Sequence, residues 1–339
     1  DFGARLGALQ CWLAPVRGPA MDVDWFPAAV AVVAVGVWLL APYLAWRQSS
    51  AKSLEAYVAR TSFQCSPGEL IPPAWKGPEL TLSVVVPAFN EERRLPQMLE
   101  ETLAYLDARM AASAVGFSYE VVVVDDGSTD GTYAAALGAR RRGPMGGRGD
   151  LRVMALTANR GKGFAVRAGM LAARGQFLLM ADADGATSIR DLERLEETLS
   201  FRGTDGGVHI AFGSRHHLKA EVAARRSFLQ NVLALGFQLL VQVLIGEPIR
   251  DTQCGFKLFR ADVGKHLFAS LHLHGWAFDV ELALLARIMG KRIAEVPVTW
   301  VEMPGSKISL VTGALTMLRD MMLLRVLYLT GAWQPLMMA

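Results

Sequence analysis

The chain has 339 residues, of which 52% are hydrophobic and 20% charged, and its formal net charge is +3 at pH 7. So small a charge gives no reason to expect nucleic-acid binding, whereas a mean hydropathy of +0.27 favours contact with a membrane. The cysteines, Cys11, Cys65 and Cys254, are too few and too widely spaced for a disulfide framework or a zinc site.

The first long apolar segment is expected to be a membrane anchor. Residues 25–46 carry no charged side chain, begin at Trp25 and end with Tyr43 and Trp46. A helix of this length, at about 1.5 Å per residue, spans the hydrocarbon core of a bilayer, and aromatic residues favour its two interfaces. A cleavable signal peptide is the alternative, but its apolar region is usually shorter. We predict a transmembrane helix over 25–46, preceded by an extension over 1–24.

The residues that flank this segment suggest its orientation. Arg47, Lys52 and Arg60 lie on its carboxyl side, while both basic and acidic residues precede it. The positive-inside rule therefore favours a cytosolic position for the rest of the chain. Residues 47–79 contain several Pro-Gly and Pro-Pro pairs and are predicted to be a linker.

Apolar runs of strand length alternate with helix-length segments from residue 80 onward. Five buried strands are predicted, over 82–86, 119–124, 151–156, 177–181 and 208–212. A sixth run covers 293–300, and Pro297 within it predicts an edge strand. This alternation indicates an α/β domain over 80–308, with a mostly parallel sheet flanked by helices.

Polar side chains come directly after four of these runs. Asn90 and Glu91, which we expect to open a helix, come after the first run, and Asp125 to Thr132 after the second. Asn159 to Gly163 come after the third run, and Asp182 and Asp184 after the fourth. Carboxyl ends of parallel strands share one edge of a sheet, where such folds bind ligands. The sequence therefore predicts one ligand site at that edge, against the alternative of separate solvated loops.

The aspartate pair is the centre of this predicted site. Two hard oxygen ligands suit Mg²⁺ or Mn²⁺ that carries the diphosphate of a substrate. Asp182 and Asp184 are therefore the predicted metal ligands. The alternative without a metal is a polar loop in which both aspartates are solvated.

The second half of the chain has two further apolar segments. Residues 228–245 are uncharged and place three amide side chains on one stripe, which predicts a helix that is buried or lies on the membrane. A second span is the alternative. Residues 310–329 predict a helix whose central charges, Arg319, Asp320 and Arg325, favour the membrane interface over a span. Residues 309–339 are thus an expected interfacial helix and tail, and 250–257 an expected polar turn.

These motifs together resemble a known family. Val-Pro-Ala-Phe-Asn-Glu at 86–91, Asp-Asp-Gly-Ser-Thr-Asp-Gly-Thr at 125–132 and Asp-Ala-Asp at 182–184 resemble, in this order, the inverting glycosyltransferases of family 2, which have the GT-A fold. Segments 250–259, 276–282, 305–307 and 328–333 are similar to those of the eukaryotic members that glucosylate dolichyl phosphate. The resemblance extends over about residues 25–333.

The resemblance implies an activity at a membrane. Glucose would pass from UDP-glucose to dolichyl phosphate with inversion, on the cytosolic face of the endoplasmic reticulum, to supply N-glycan assembly. The implied cofactor is Mg²⁺ or Mn²⁺, and the implied partners are the two substrates and the lipid bilayer. Because dolichyl phosphate is already an anion at neutral pH, its oxygen can attack without a strong general base.

The family resemblance also implies roles for individual residues, which we assign from the motifs in which they lie. Those implied for the donor nucleotide are Pro87, Ala88, Asn90, Glu91, Asp126, Gly127 and Lys162. Those implied for catalysis are Asp182, Asp184 and Arg215. Those proposed for the acceptor phosphate and the sugar are Arg225, Arg226, Gln253, Lys257, Asp279, Glu281, Ser306 and Lys307. Arginine suits phosphate because its planar fork binds two oxygens, although Arg225 and Arg226 can equally be solvated, and Asp279 and Glu281 can simply begin a helix.

Two alternatives stay open on the sequence alone. Mannosyl-transferring relatives often carry a glutamine two residues after the second aspartate, where this chain has Ala186. This difference weighs against a dolichyl-phosphate mannosyltransferase that uses GDP-mannose. The other alternative is a catalytically inactive scaffold on the same fold, against which Glu91, Asp182 and Asp184 argue.

Overall fold

A computed structural model describes residues 58–61, 77–114, 116–140, 149–200, 207–218, 249–303 and 310–336, together with Gly36 and Gly236. The chain divides into two compact units, Asp1–Ala41 and Pro42–Ala339. The predicted transmembrane helix over 25–46, the helix expected over 228–245, and the four predicted acceptor residues Arg225, Arg226, Ser306 and Lys307 lie outside the described residues, apart from the two glycines. Within the described ranges, no helix is both long and apolar enough to cross a bilayer.

The described strands form one sheet in the second unit. Their bounds are β1 Val58–Thr61, β2 Leu80–Ala88, β3 Tyr119–Asp125, β4 Gly149–Leu156, β5 Gly175–Met180, β6 Ile210–Ser214, β7 Lys257–Arg260 and β8 Ile293–Pro297. The spatial order is β1-β4-β3-β2-β5-β7-β6-β8. Strands β4, β3, β2 and β5 are mutually parallel, whereas β1 and β7 run antiparallel to their neighbours. The predicted mostly parallel α/β architecture is confirmed.

Helices connect these strands. Their bounds are α1 Leu95–Ala112, α2 Thr132–Arg140, α3 Lys162–Ala172, α4 Leu192–Ser200, α5 Ala261–Ala269, α6 Phe278–Ile288 and α7 Leu310–Leu329. Residues 84–86 and 121–124, at the centre of the sheet, are fully buried. Such continuous Val-rich runs are typical of parallel strands that are covered on both faces.

Two strands lie where the sequence predicted none. β1 falls within the expected linker over 47–79 and pairs with β4. β7 begins at Lys257, inside the expected polar turn, and its apolar residues Leu258 and Phe259 are completely buried between β5 and β6. A four-residue strand is too short to show a clear period in the sequence, so only its tertiary pairing identifies it.

Helix α1 starts later than predicted. Asn90 has a left-handed backbone with φ of 54°, which interrupts a right-handed helix. The backbone N–H of Glu91 donates to Thr132 Oγ1 at 2.7 Å, and that of Glu92 to Asp130 Oδ2 at 3.3 Å. These residues are therefore fixed in a turn against the next loop, and the helix begins at Leu95.

A buried charge cluster links the amino-terminal parts of the central strands β2, β3 and β4. Glu120 is fully buried and accepts from Ser83 Oγ at 2.6 Å and from Arg152 Nη1 at 2.9 Å. Its carboxylate also accepts from the Arg174 backbone N–H at 2.6 Å. Burial alone would raise the pKa of Glu120, but Arg152 and Arg174 outweigh it, and the pKa is lowered.

Replacing Glu120 with alanine is expected to destabilise the protein by about 3–5 kcal/mol, because the buried Arg152 loses its counter-charge. Chemical denaturation of the purified protein would measure this, with Glu101→Ala as the control because Glu101 is exposed and bonds to Gln97 of its own helix. Since the folded-state pKa is depressed, the difference between wild type and variant should shrink as the pH falls below about 4.3. A variant as stable as wild type would contradict a structural role for the cluster.

Candidate active site

The loops after β2 and β3 are bonded to each other at the carboxyl edge of the sheet. Thr129 N–H donates to Asn90 Oδ1 at 2.9 Å, and Asn90 N–H donates to Ser128 Oγ at 2.9 Å. Asparagine tolerates the left-handed backbone found at this position. The structure therefore brings together two segments that the sequence assigned to one site.

Pro87 and Ala88 occupy the end of β2 and are buried. The Ala88 carbonyl accepts from the Asp126 backbone N–H at 2.8 Å. Their side chains thus belong to the floor of the site, and they support the Asp126 loop.

Asp126 fixes the loop that leads into α3. Its carboxylate accepts from the backbone N–H groups of Arg160, at 2.7 Å, and Gly161, at 2.9 Å. The side chain is almost inaccessible, and burial raises the pKa of Asp126 to about 6. Gly127 permits this approach because its φ is +67° and a Cβ there would lie 2.5 Å from the Ala158 carbonyl carbon.

Lys162, the first residue of α3, faces the aspartate pair. Its Nζ lies 2.6 Å from Asp182 Oδ1 and 5.4 Å from the centroid of the Trp276 ring. Burial alone would lower the pKa of Lys162, but Asp182 and Asp279 outweigh it, and the pKa is raised. The site therefore holds a charged ammonium directly beside the first aspartate.

Asp182 and Asp184 lie in the loop just after β5, which ends at Met180. Burial would raise the pKa of Asp182, but Lys162, Lys257 and Arg215 lower it overall. Asp184 is 28% exposed; its Oδ1 accepts from Ala186 N–H at 3.0 Å. Its pKa is raised, chiefly by burial.

These aspartates fit a divalent cation that a substrate helps to hold. Among the described residues, no group of three or more His, Cys, Asp or Glu side chains is placed to bind a metal. Mg²⁺ and Mn²⁺ sites of phosphate-transferring enzymes commonly use one or two carboxylates, with substrate phosphates and water as the other ligands. Asp184 keeps part of its side chain open to solvent, and Asp182 contributes a second carboxylate beside it.

Arg94 is a site residue that sequence reasoning missed. Its guanidinium forms a fork with Glu91, with Nε–Oε2 at 2.7 Å and Nη2–Oε1 at 2.6 Å. Its Nη1 also lies 4.0 Å from Asp184 Oδ2. The sequence placed Arg94 inside a helix, and only the later helix start turns it toward the aspartates.

Arg215 is held by Asp251. Nε and Nη2 donate to the two carboxylate oxygens at 2.8 and 2.9 Å, and the Trp300 ring centroid lies 5.5 Å from the guanidinium carbon. Burial would lower the pKa of Arg215, but the hydrogen bonds and charge of Asp251 raise it. Arg215 is therefore a fixed positive charge that acts on Asp182, one of the predicted metal ligands.

Three predicted acceptor residues lie inside the protein. Lys257 donates to Asp279 Oδ1 at 2.7 Å and to the Cys254 carbonyl, and both side chains are buried. Glu281 is fully buried, and both of its oxygens accept from backbone N–H groups. The side chains of all three residues are buried and bonded to other protein groups in this arrangement, so they cannot contact an acceptor directly. We therefore interpret them as residues that hold the surrounding segments of the site in place.

Among the predicted acceptor residues that the structure describes, Gln253 has a buried donor with no hydrogen-bond partner. Its Nε2 is buried and has no hydrogen-bond partner within the described part of the chain. Its backbone N–H donates to Asp251 Oδ1 at 3.2 Å, which places it beside the Arg215 pair. Buried donors are normally satisfied, so this unpaired donor in the loop before β7 is a candidate ligand contact.

Comparison with known proteins identifies the family. A model described as Glycosyl transferase family 2 matches residues 83–268. The chain is 46% identical over 267 residues to a dolichyl-phosphate beta-glucosyltransferase of Homo sapiens, covering 78% of this chain and 81% of that protein. It is 49% identical over 260 residues to a dolichyl-phosphate beta-glucosyltransferase of Drosophila melanogaster, covering 76% of this chain and 78% of that protein. With one of Saccharomyces cerevisiae it shares 38% identity over 263 residues, covering 76% and 77%.

A solved structure supports the fold. Glucosyl-3-phosphoglycerate synthase from Mycobacterium tuberculosis, in complex with uridine diphosphate, matches with a TM-score of 0.52 and 16% identity, over 78% of this chain and 86% of that chain. At this identity the likeness shows a GT-A-like fold alone. The family predicted from the motifs is confirmed: the chain belongs to glycosyl transferase family 2 and, within it, to the dolichyl-phosphate beta-glucosyltransferases.

Proposed function

We propose that this protein transfers glucose from UDP-glucose to dolichyl phosphate with inversion, giving dolichyl β-D-glucosyl phosphate. The observation that carries the proposal is the Asp182–Asp184 pair, set beside Lys162 at the carboxyl edge of the sheet, in a chain 46% identical to a relative of that name. Clustered acids and a half-buried ammonium suit a substrate that brings a diphosphate and its cation.

The donor side of the proposed site binds and orients the leaving group. Asp184, with Asp182, would hold Mg²⁺ or Mn²⁺, which when bound would neutralise charge on the departing diphosphate. Lys162 and Arg94 add fixed positive charge next to these carboxylates. Asp126 holds the loop that carries Lys162, so that the ammonium does not have to be ordered when the donor binds.

The acceptor side needs recognition rather than proton removal. A phosphate monoester is an anion at neutral pH, so its oxygen attacks the anomeric carbon as UDP departs. Arg215 supplies positive charge there, and Gln253 Nε2 supplies an unused donor for a phosphate or sugar oxygen. Arg225, Arg226, Ser306 and Lys307 are proposed to complete this recognition.

Gln253→Ala is expected to lower kcat/KM by about 10- to 100-fold, the effect of losing one to two hydrogen bonds to a charged ligand group. The fold should keep its stability, because the substitution removes a buried donor that the protein leaves unpaired. Steady-state kinetics with both substrates varied, together with thermal unfolding, measure the two effects. Gln97→Ala, on the exposed face of α1, is the matched control. Unchanged kinetics would remove Gln253 from the site.

The C-terminal helix is proposed to lie at the membrane surface. One face of α7 carries exposed apolar side chains at helical spacing: Leu315, Leu318, Met322, Val326 and Leu329. Met321, Leu324 and Leu327, on another face, are buried. An interfacial position would seat the site where the phosphate of a polyprenyl lipid emerges. We extend the proposal to a transmembrane anchor over 25–46 and a catalytic domain on the cytosolic face of the endoplasmic reticulum.

A donor screen tests the proposed function. Detergent-purified protein would be given dolichyl phosphate with radiolabelled UDP-glucose or GDP-mannose, with Mg²⁺, with Mn²⁺ or with a chelator. We expect glucosyl lipid that depends on a divalent cation. Mannosyl lipid would overturn the donor assignment, and no lipid product with either donor would favour the inactive scaffold.

A further inference from the structure

Glu281 of α6 lies at the centre of a buried cluster that includes His272, Leu273 and Tyr328. Its carboxylate accepts from the backbone N–H groups of His272, at 3.0 Å, and Leu273, at 2.7 Å. The ring Nδ1 of His272 lies 2.8 Å from Oε1 of the same carboxylate. These contacts fix the course of the backbone at residues 272–273.

The C-terminal helix completes the same cluster. Tyr328 OH, in the last turn of α7, donates to Glu281 Oε1 at 2.9 Å. The Trp333 indole stacks on the His272 ring, with centroids 4.4 Å apart and planes 10° apart, and Trp333 is almost entirely buried. The end of α7 therefore holds the other side of the 272–273 segment.

The next residue of that segment holds the first turn of α3. The His274 carbonyl accepts from Gly163 N–H at 2.8 Å and from Phe164 N–H at 3.3 Å. The His274 and Phe164 rings meet edge to face at 4.9 Å. A Cβ on Gly163 would lie 2.8 Å from the Leu273 carbonyl oxygen, so the two backbones are as close as glycine allows.

Lys162 lies within this turn, with its ammonium 2.6 Å from Asp182. The contacts thus run from α7 through Tyr328 and Glu281 to the 272–274 segment, and from there to Lys162. We propose that Tyr328 and Trp333 are positioning residues for Lys162, so that docking of the C-terminal helix sets the affinity of the donor site. The inference rests on the proposed function for the identity of the donor as a uridine diphosphate sugar.

Tyr328→Phe tests the proposal because it removes only the hydroxyl. In hydrogen exchange of the substrate-free protein, we expect faster exchange at the Gly163 and Phe164 amides, which donate to His274. UDP binding in the presence of Mn²⁺, measured by calorimetry, should weaken by about 3- to 30-fold. The KM for UDP-glucose should rise, whereas the KM for the lipid acceptor should not. Tyr105→Phe is the matched control, since it loses a 2.8 Å bond to Glu193 between α1 and α4.

A double-mutant cycle with Lys162→Met separates positioning from general damage. If Tyr328 acts through Lys162, Tyr328→Phe weakens UDP binding in the wild-type background and adds little in Lys162→Met. Equal weakening in both backgrounds, or exchange at Gly163 and Phe164 that matches wild type, would overturn the proposal. Faster exchange in a protein that binds no UDP would keep the positioning role and reject the proposed donor instead.

Discussion

Replacing Asp184 with asparagine is expected to reduce glucosyl transfer by roughly 10³-fold, the scale of losing a preorganised electrostatic contact to the transition state. The amide can still accept from Ala186 N–H through its oxygen, so the loop keeps its hydrogen bond. What is lost is the charge that a divalent cation requires. Because burial raises the pKa of Asp184, removal of the charge should leave the thermal stability equal or slightly higher.

Two measurements decide this prediction. Transfer is assayed over a range of Mn²⁺ concentrations, and thermal unfolding is measured for the same preparations. Asp262→Asn is the control, because Asp262 is a surface acid paired at 3.5 Å with Arg260. A variant that keeps wild-type activity, or that needs no more Mn²⁺ than wild type, would remove Asp184 from the proposed metal site.

Gly255→Ala is expected to reduce activity by about 100-fold, because a misplacement of about 1 Å in a reacting group can cost that much. A Cβ on Gly255 would overlap the Asp182 carboxylate, so Asp182 or the strand end has to move. The antiparallel register explains this closeness. Met180 pairs with Lys257, so Asp182, two residues after Met180, and Gly255, two residues before Lys257, face each other.

The cost to stability should be smaller, about 1–3 kcal/mol, as for other overpacked positions. Gly138→Ala is the control, since a Cβ at Gly138 in α2 meets nothing within 4 Å and should be neutral or slightly stabilising. Gly264→Ala serves as a second control, because its added methyl presses on the Phe259 and Leu178 side chains at 3.1 and 3.3 Å, away from the aspartates. If Gly255→Ala loses no more activity than Gly264→Ala, the contact with Asp182 has no catalytic role.

Helix and strand periods explain which parts of the site could be predicted from sequence. Continuous Val-rich runs predicted β2 and β3, and the polar residues after them were expected at one edge because parallel strands end together. Asn90, Asp126 and Asp182 do lie at that edge. Arg94 could not be predicted there, because the left-handed turn at Asn90 that exposes it depends on bonds to a loop about forty residues away in the chain.

The sequence alone determined the family, the parallel core of the sheet and the edge at which the acids gather, because these depend on local apolar runs and ordered motifs. Only the tertiary structure decided the partner of each charge. Lys162, at the start of α3, pairs with Asp182 in the loop after β5. Lys257 pairs with Asp279 of α6 because its strand, β7, inserts antiparallel beside β5. Likewise, Glu281 accepts a hydrogen bond from Tyr328 of α7. A buried charge without a partner is strongly destabilising, so each buried charge requires a counter-charge or hydrogen bonds. Which partner lies close enough depends on the strand order and on how the helices pack.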